Sequence, residues 1–312
     1  MNAKEAIKTL NEILGSHRKV SKNEYYFKCP ACDHHKHKFA INLDKNAFHC
    51  WVCDYRGRNV RRIIRRFGSF AQLQAWDRLS GQADLTAFDT LFASEGPEPE
   101  VPVNLPEEFM SLANHKMPAT GLSAISYLKN RSITKSDICA WKIGYCFSGE
   151  YEGRVIIPSF NKDGDLNYFV ARNYMSNYKK YKNPTASKDI IFNELYVDWD
   201  SDVIIVEGVF DAIVAGNAVP ILGSTIRSNS KLVRKIVTND TPIFLALDPD
   251  AADKERSIIQ TLLKYDIEMY KIDVSGYEDV GSMPKDVLME RKQKAKFIDR
   301  DDYLLRDMLS AI

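Results

Sequence analysis

Two short stretches place acids where a chain can hold a hard cation. "VIIVEGVFDAIVAG" (residues 203–216) is an apolar strand pattern that ends in Glu207 and Gly208, and "PIFLALDPDAADKE" (242–255) ends its own apolar run in Asp248 and Asp250. If both runs are parallel strands of one sheet, the three carboxylates converge at its carboxyl edge, where open α/β sheets form ligand sites. Carboxylates crowded together repel one another unless cations occupy the space between them, and hard oxygen donors suit Mg2+ or Mn2+. Asp211, four residues after Glu207, and Asp279, in "YEDVGSMPKD", fall within reach of the same edge. Gly208 is expected to let the backbone turn sharply into a helix beginning near Val209. The plainer alternative is that Asp248 and Asp250 only cap a helix starting at Ala251; the strand-end Glu-Gly favours metal.

A second constellation lies near the front. Cys29-x2-Cys32 and Cys50-x2-Cys53 are separated by 17 residues, the spacing of two tight turns that each present a pair of thiolates to one tetrahedral Zn2+. Two disulfides, four free thiols or a rubredoxin-like iron site are the alternatives. His34, His35 and His37 follow the first pair and are expected to be exposed; Cys139 and Cys146 lack the spacing and are expected to be buried thiols. Between and beyond the knuckles, Phe39, Phe48 and Trp51 interleave with Lys36, Lys38 and His49. That pattern can stack on unpaired bases and meet phosphates, although Phe39 and Phe48 also suit the core of a small ribbon. Arg56, Arg58, Arg61, Arg62, Arg65 and Arg66 put six arginines in eleven residues, which points to a nucleic-acid or acidic-protein contact.

The elements that must position these groups follow from pattern. Residues 1–80 carry 16 Lys+Arg against 7 Asp+Glu, and the remainder 27 against 35, so a basic front precedes an acidic back. "MNAKEAIKTLNEILGS" has an amphipathic helix pattern, and "NVRRIIRRFGSFAQLQAWDRL" reads as one helix with Ile63, Ile64, Phe67, Phe70 and Leu73 on one face. "SGQADLTAFDTLFASEGPEPEVPVNLPEE" has four prolines and no Lys or Arg, the composition of a linker. After it, "GLSAISYLKNRSI" is helical, "GRVIIPSF" and "LNYFVARNY" form a hairpin about Asp163-Gly164, and strands at 203–206, 218–222, 243–247 and 268–274 alternate with helices, which implies a mostly parallel sheet. No apolar run approaches membrane-spanning length, so a cytoplasmic protein without a membrane partner is expected.

"VIIVEGVFDAI" with "FLALDPDAA" resembles a TOPRIM domain, the Glu-then-Asp-x-Asp module of DnaG-type primases, type IA and type II topoisomerases, some nucleases and RecR-like proteins. "LKNRSITKSDICAWKIGYC", "EGRVIIPSFNKDGDLNYFVARN" and "KKYKNPTASKDIIFNELY" resemble, in order, the polymerase region that precedes TOPRIM in DnaG-type and bacteriophage primases. The front ribbon resembles their template-reading domain. Its four cysteines are most like phage primases that work with a separate helicase, since a His often replaces the second Cys in bacterial ones. The family pattern usually has Gly where Pro249 stands.

The resemblance implies a multidomain α/β protein. Residues 1–78 would form a β-rich zinc domain on four cysteines, 79–105 an acidic linker, 106–198 a basic α+β subdomain, and 199–312 a TOPRIM subdomain with C-terminal helices. It implies a DNA primase that makes RNA primers on single-stranded DNA from NTPs. Glu207, Asp248 and Asp250 would be catalytic and hold Mg2+ or Mn2+ with Asp211 and Asp279. Arg154, Arg172, Lys180, Tyr181 and Asn183 would contact nucleotide or template, and Lys38, Phe48, His49, Trp51, Arg56 and Arg58 would meet DNA from the zinc domain. No GxxxxGK[ST] phosphate loop occurs in the sequence, so the expected partners are a separate replicative helicase and a single-strand binding protein, docking on the arginine-rich helix or on "RDDYLLRDMLSAI". The rival readings are a RecR-like zinc/TOPRIM binding module and a TOPRIM nuclease.

Overall fold

A computed structural model of the chain describes residues 2–21, 23–80, 102–114, 118–223, 226–300 and 302–303. Most of the expected linker and of the C-terminal "RDDYLLRDMLSAI" falls outside the described residues. The chain divides into two units, Met1–Ser94 and Glu95–Ile312. Among the described residues no helix is long and apolar enough to cross a membrane.

In the first unit, helix α1 (Ala3–Leu14) is capped by the Asn2 side chain, which accepts from Lys4 N–H, and buries Ala6, Ile7 and Leu10 at helical spacing. A five-stranded antiparallel meander follows: β1 (Arg18–Ser21), β2 (Glu24–Phe27), β3 (Phe39–Asn42), β4 (Ala47–Cys50) and β5 (Arg56–Gly57). Phe39 on β3 pairs with Phe27 on one side and Cys50 on the other, so this register brings the two Cys-x2-Cys turns to the same end of the sheet. Phe27, Phe39, Ile41 and Phe48 pack with α1 and with Ile63, Ile64 and Trp76 in one core.

The stretch read as one long helix is two, α2 (Arg61–Phe67) and α3 (Phe70–Ser80). Gly68 closes α2 by donating its N–H to Ile64 O, and a Cβ at position 68 would meet that same oxygen at 2.6 Å. Ser69 then starts α3. Its N–H donates to Gln72 Oε1 at 2.8 Å and Gln72 N–H donates to Ser69 Oγ at 3.3 Å, a reciprocal capping box. Phe70, expected on the buried face, is 65% exposed because it opens the second helix instead of continuing the first. Two of the six arginines are buried rather than presented: Arg61 forms a two-pronged pair with Asp77 of α3 (2.6 and 2.8 Å), and the Arg62 guanidinium lies 6.0 Å from the Phe48 ring. Among the thiols outside the knuckles, Cys146 is buried as expected, and burial pushes it up to about 12; Cys139 is exposed.

Among the described residues the second unit holds two sheets. The first is antiparallel, in the order β6 (Met110–Ser111), β7 (Gly144–Cys146), β8 (Arg154–Phe160) and β9 (Leu166–Asn173). Helices α4 (Leu122–Asn130) and α5 (Lys135–Ala140) lie between β6 and β7 in the chain. The β8–β9 hairpin turns at Asp163-Gly164, where Gly164 has φ +89°. In the second sheet the order is β11 (Ala218–Pro220), β10 (Val203–Val206), β12 (Ile243–Ala246), β13 (Met269–Lys271) and β14 (Lys296–Phe297). β11 to β13 run parallel and β14 antiparallel. Every residue of β10 is buried, as a strand covered on both faces requires. Its helices are α6 (Val209–Ala215), α7 (Lys231–Asn239), α8 (Ala252–Leu263) and α9 (Lys285–Gln293). Val209, Phe210 and Ile213 of α6 pack into the core of the antiparallel sheet, which ties the two sheets together.

Removing one partner of a buried charge pair strands the other. Asp77→Ala is therefore expected to destabilise the first unit by about 3 kcal/mol, read as a lowered midpoint of urea unfolding; Asp77→Asn, which keeps one acceptor, should lose less.

Candidate metal centres

The four knuckle sulfurs lie within 4.8 Å of one another. Cys29 Sγ stands 3.8 Å from Cys53 Sγ, and Cys32 Sγ 3.9 Å from Cys50 Sγ. A disulfide needs about 2.05 Å, whereas a regular tetrahedron with metal–sulfur bonds of about 2.3 Å has edges of about 3.8 Å. The geometry fits a single tetrahedral ion. Burial pushes the Cys29 thiol up to about 12, an environment that keeps sulfur neutral unless a cation is bound to it. Cys50 is also buried, yet its pKa is lowered by the backbone amides of Cys53 and Val52, which face its sulfur. Of the nearby histidines, His37 reaches Ser16 O at 3.0 Å and His34 stacks on His35; none joins the sulfur group. Phe48 is buried beneath the ribbon and offers no face for stacking. Trp51 is 64% exposed, lies edge-on to His49, and has Lys38, Arg56 and Arg58 exposed in the same unit. His49 is held by Asp54 at 2.8 Å.

At the other centre, β10 and β12 are adjacent and parallel, with Val206 opposite Ala246. Glu207 therefore leaves the sheet beside Leu247 and Asp248. From β10 the chain passes to β11 on one side and to β12 on the other, so Glu207 stands at the point where strand order reverses. Glu207, Asp248 and Asp250 bring one carboxylate oxygen each within 4.8 Å of the others. Asp248 does not cap α8: the N-cap residue is Ala251, and no side chain caps that end. Ala251 N–H instead closes a turn onto Asp248 O at 3.0 Å. Pro249 takes the second position of that turn, where its fixed φ fits without strain.

Asp211 and Asp279 were expected among the ligands, and the structure keeps both outside this group. Buried Asp211 accepts from Gly208 N–H at 2.8 Å and from Gly281 N–H at 2.7 Å. A Cβ at either glycine would come within 2.9 Å of an Asp211 oxygen. Gly208 is extended (φ −118°), so glycine serves there to admit that carboxylate rather than to make a sharp turn. Asp279 caps the turn Val280–Ser282, accepting from Ser282 N–H at 2.7 Å. Asp211 thus pins the Glu207 loop to the Asp279 loop.

Two buried oxygens of the group, Glu207 Oε1 and Asp248 Oδ1, have no hydrogen-bond partner among the described residues. Orphaned buried acceptors are rare and need a donor or an ion. Together with three converging carboxylates they fit a divalent cation. Glu207 Oε2 accepts from Lys254 Nζ at 2.7 Å, a contact that no sequence motif singled out.

The five residues expected at nucleotide or template divide into buried or tied side chains and exposed ones. Arg154 is buried, donating to Lys179 O (2.9 Å) and Ala171 O (3.4 Å), and Asn183 Oδ1 accepts from Ala171 N–H at 3.2 Å. These two knit the segment 179–183 onto β9. Arg172 is also buried, donating to Tyr127 Oη at 3.0 Å with its guanidinium 4.9 Å from the Tyr181 ring. Tyr127 in turn lies edge-on to Phe210 of α6. Lys180 and Tyr181 are exposed.

Burial, then the charges of Asp211, Glu207, Asp279 and Asp250, push Asp248 up to about 7; burial, then Asp279, pushes Asp211 up to about 6. Both are raised, so their contribution to the metal-free fold is complete below the ordinary value of 3.8 and is lost as pH climbs through 6 to 7. A cation must displace the proton on Asp248. Mn2+ affinity is therefore expected to rise up to about tenfold per pH unit below pH 7 and to level off above it. Calorimetric titration from pH 5.5 to 8.5 checks this, and Asp248→Asn should flatten the profile.

No family model matches the chain. It is 21% identical over 299 residues to the DNA primase of Halalkalibacterium halodurans, covering 78% of this chain and 49% of that protein. It is 20% identical over 307 residues to the DNA primase of Thermotoga maritima, covering 82% and 53%. The chain thus spans about half the length of the curated relatives it matches. Among solved structures it is similar to the Aquifex aeolicus primase zinc-binding and RNA polymerase domains, with a TM-score of 0.51 at 18% identity, covering 96% of this chain and 84% of that one. It is also similar to the DnaG primase catalytic domain bound to ssDNA (TM-score 0.54, 17% identity, 63% and 78% covered). The Escherichia coli primase catalytic core gives 0.51 at 17% identity, with 62% and 79% covered. The chain is a multidomain α/β protein with the fold of the zinc-binding and RNA polymerase domains of DNA primases.

Proposed function

We propose that the protein is a DNA primase: a metal-dependent nucleotidyltransferase that builds short RNA primers from NTPs on single-stranded DNA. The observation that carries this reading is the convergence of Glu207, Asp248 and Asp250 at the switch point of a parallel sheet, on a chain whose curated relatives are named DNA primase. Residues 106–198 and 199–312 would act as the polymerase, with 1–78 reading template across a linker at 79–105. Mg2+ or Mn2+ held by Glu207, Asp248 and Asp250 would supply charge neutralisation at the phosphates.

The rest of the work falls to the chain. Asp211 keeps the Glu207 and Asp279 loops in register, so the acids need no reorganisation when substrate arrives. Exposed Lys180 and Tyr181, on the segment that Arg154 and Asn183 hold to β9, offer a cation and a ring to phosphate and base. Arg172 supports Tyr181 from beneath. In the front unit the four-cysteine site would hold Zn2+, and exposed Trp51 with Lys38, Arg56 and Arg58 would meet unpaired template. A replicative helicase on a separate chain and a single-strand binding protein are the proposed partners, the phage-like arrangement.

Purified protein with single-stranded DNA, four NTPs and Mg2+ should yield oligoribonucleotides. Complete inactivity across varied templates, with a helicase added, would overturn the proposal, and metal-dependent DNA cleavage without NTPs would replace it with a nuclease. Glu207→Gln and Asp248→Asn should each cut synthesis by about a hundredfold or more while the melting curve is retained. Cys50→Ser should release zinc, measured by a chromogenic chelator, and should impair template-specific initiation before it impairs elongation of a supplied primer.

A further inference from the structure

Lys254 occupies a position that helix energetics disfavours. It lies in the first turn of α8, between Asp253 and Glu255, where the helix dipole favours acids and opposes a cation. Glu255 turns to Lys271 at 2.6 Å rather than to this lysine. Its Nζ reaches instead to Glu207 Oε2 at 2.7 Å, a residue 47 positions earlier on another strand end. The two partners differ in exposure: the Glu207 side chain is 15% exposed and the Lys254 side chain 40%. Glu207 is thereby divided, with one oxygen on the ammonium and Oε1 buried without a partner among the described residues; Asp248 Oδ1 is orphaned in the same way.

We propose that Lys254 is the resident counter-ion of the carboxylate group. It balances Glu207 while no divalent ion is held, competes with that ion for Oε2, and once displaced presents its ammonium to the phosphates that follow. This rests on the reading of the site as a metal-dependent nucleotidyltransferase. The exchange is physically open to lysine. Its ammonium is a compact charge on a flexible four-carbon stem, and the lysine end of the pair is already partly in solvent. A positive charge a few ångströms from the ligand oxygens opposes arrival of a second cation, so its removal must strengthen metal binding. Lys254 on this account acts directly, first on Glu207 and then on phosphate, rather than by fixing another side chain. A lysine present only to hold Glu207 in ligand geometry would have the opposite effect, since its loss would weaken the metal.

The test is Mn2+ binding to the full chain, measured by the EPR signal of the free ion, for the wild type, Lys254→Met, Lys254→Gln and Lys254→Arg. The Met and Gln variants should bind Mn2+ on the order of tenfold more tightly, and Arg should stay near wild type. Metal-free Met and Gln variants should melt below wild type and regain the difference when Mn2+ is added. With Mn2+ present, inorganic tripolyphosphate should bind the Met variant several-fold more weakly. Unchanged or weakened Mn2+ binding in both neutral variants overturns the counter-ion role, and undiminished tripolyphosphate binding overturns the hand-over to phosphate. Tightened Mn2+ binding in a chain that makes no oligoribonucleotide keeps the counter-ion role and removes the synthesis reading instead.

Discussion

Mutual repulsion among acids gathered in a low-dielectric edge is the constraint on which the second unit is organised. Glu207, Asp248 and Asp250 come together because β10 and β12 are neighbours in register, and Asp211 and Asp279 stand close enough to raise the proton affinity of Asp248. Such a group is unfavourable in isolation. The chain offsets part of it with fixed dipoles: two glycine amides on Asp211 and the Ser282 amide on Asp279. The ammonium of Lys254, on Glu207, offsets another part. What is left is two buried oxygens without donors among the described residues, and these would be balanced by a cation from solution. A site balanced in full by the protein would have no affinity for metal, and one balanced not at all would open the sheet edge.

The cysteine centre meets the same requirement with softer donors. Cys29 is buried where a lone thiolate is disfavoured, and the amides of Val52 and Cys53 face the sulfur of Cys50. The ribbon's core is a few aromatics shared with α1, α2 and α3. An ion that binds only the folded form therefore adds its binding free energy directly to folding. In both centres the candidate ligands sit at or just beyond strand ends: register brings the separate segments together, and short turns set the spacing within Cys29-x2-Cys32, Cys50-x2-Cys53 and Asp248-x-Asp250.

That legibility has a clear boundary. The spacing of the four cysteines, the Glu207 and Asp248/Asp250 strand ends, the hairpin at Asp163-Gly164 and the parallel sheet were all readable, because periodicity and turn chemistry act locally. Four arginines were not. Arg61 and Arg62 read as part of a nucleic-acid or acidic-protein contact, and Arg154 and Arg172 as contacts for nucleotide or template; the structure buries them on Asp77, on the Phe48 ring, on main-chain oxygens and on Tyr127. An arginine run looks the same in sequence whether its planar fork serves the fold or a ligand. The break at Gly68-Ser69 was legible in principle, since Ser-x-x-Gln is a helix-start signature, but continuous apolar periodicity across it masked the boundary. Phe48 failed for a related reason: alternation along β4 assigns it to the same buried side as Cys50, and that pattern outweighs its company of cationic neighbours.

The buried arginines alter how the segment 179–183, with Lys180 and Tyr181, can act. Arg154 and Asn183 fasten residues 179–183 along β9, and the bridge between Arg172 and Tyr181 continues the pairing. A segment held this way cannot fold back over the acids as a flexible arm; it presents Lys180 and the Tyr181 ring from a fixed rail. Arg172 also joins that rail, through Tyr127 and then Phe210, to the first turn of α6, three residues beyond Glu207. Arg131, 4.9 Å over the Phe210 ring, braces the same corner. The cationic surface and the acidic group are thus fixed to one continuous packed scaffold, and their separation is set by core side chains rather than by a hinge. For in-line attack on a phosphate, where alignment supplies much of the rate, a rigid spacing serves better than a larger number of free cations.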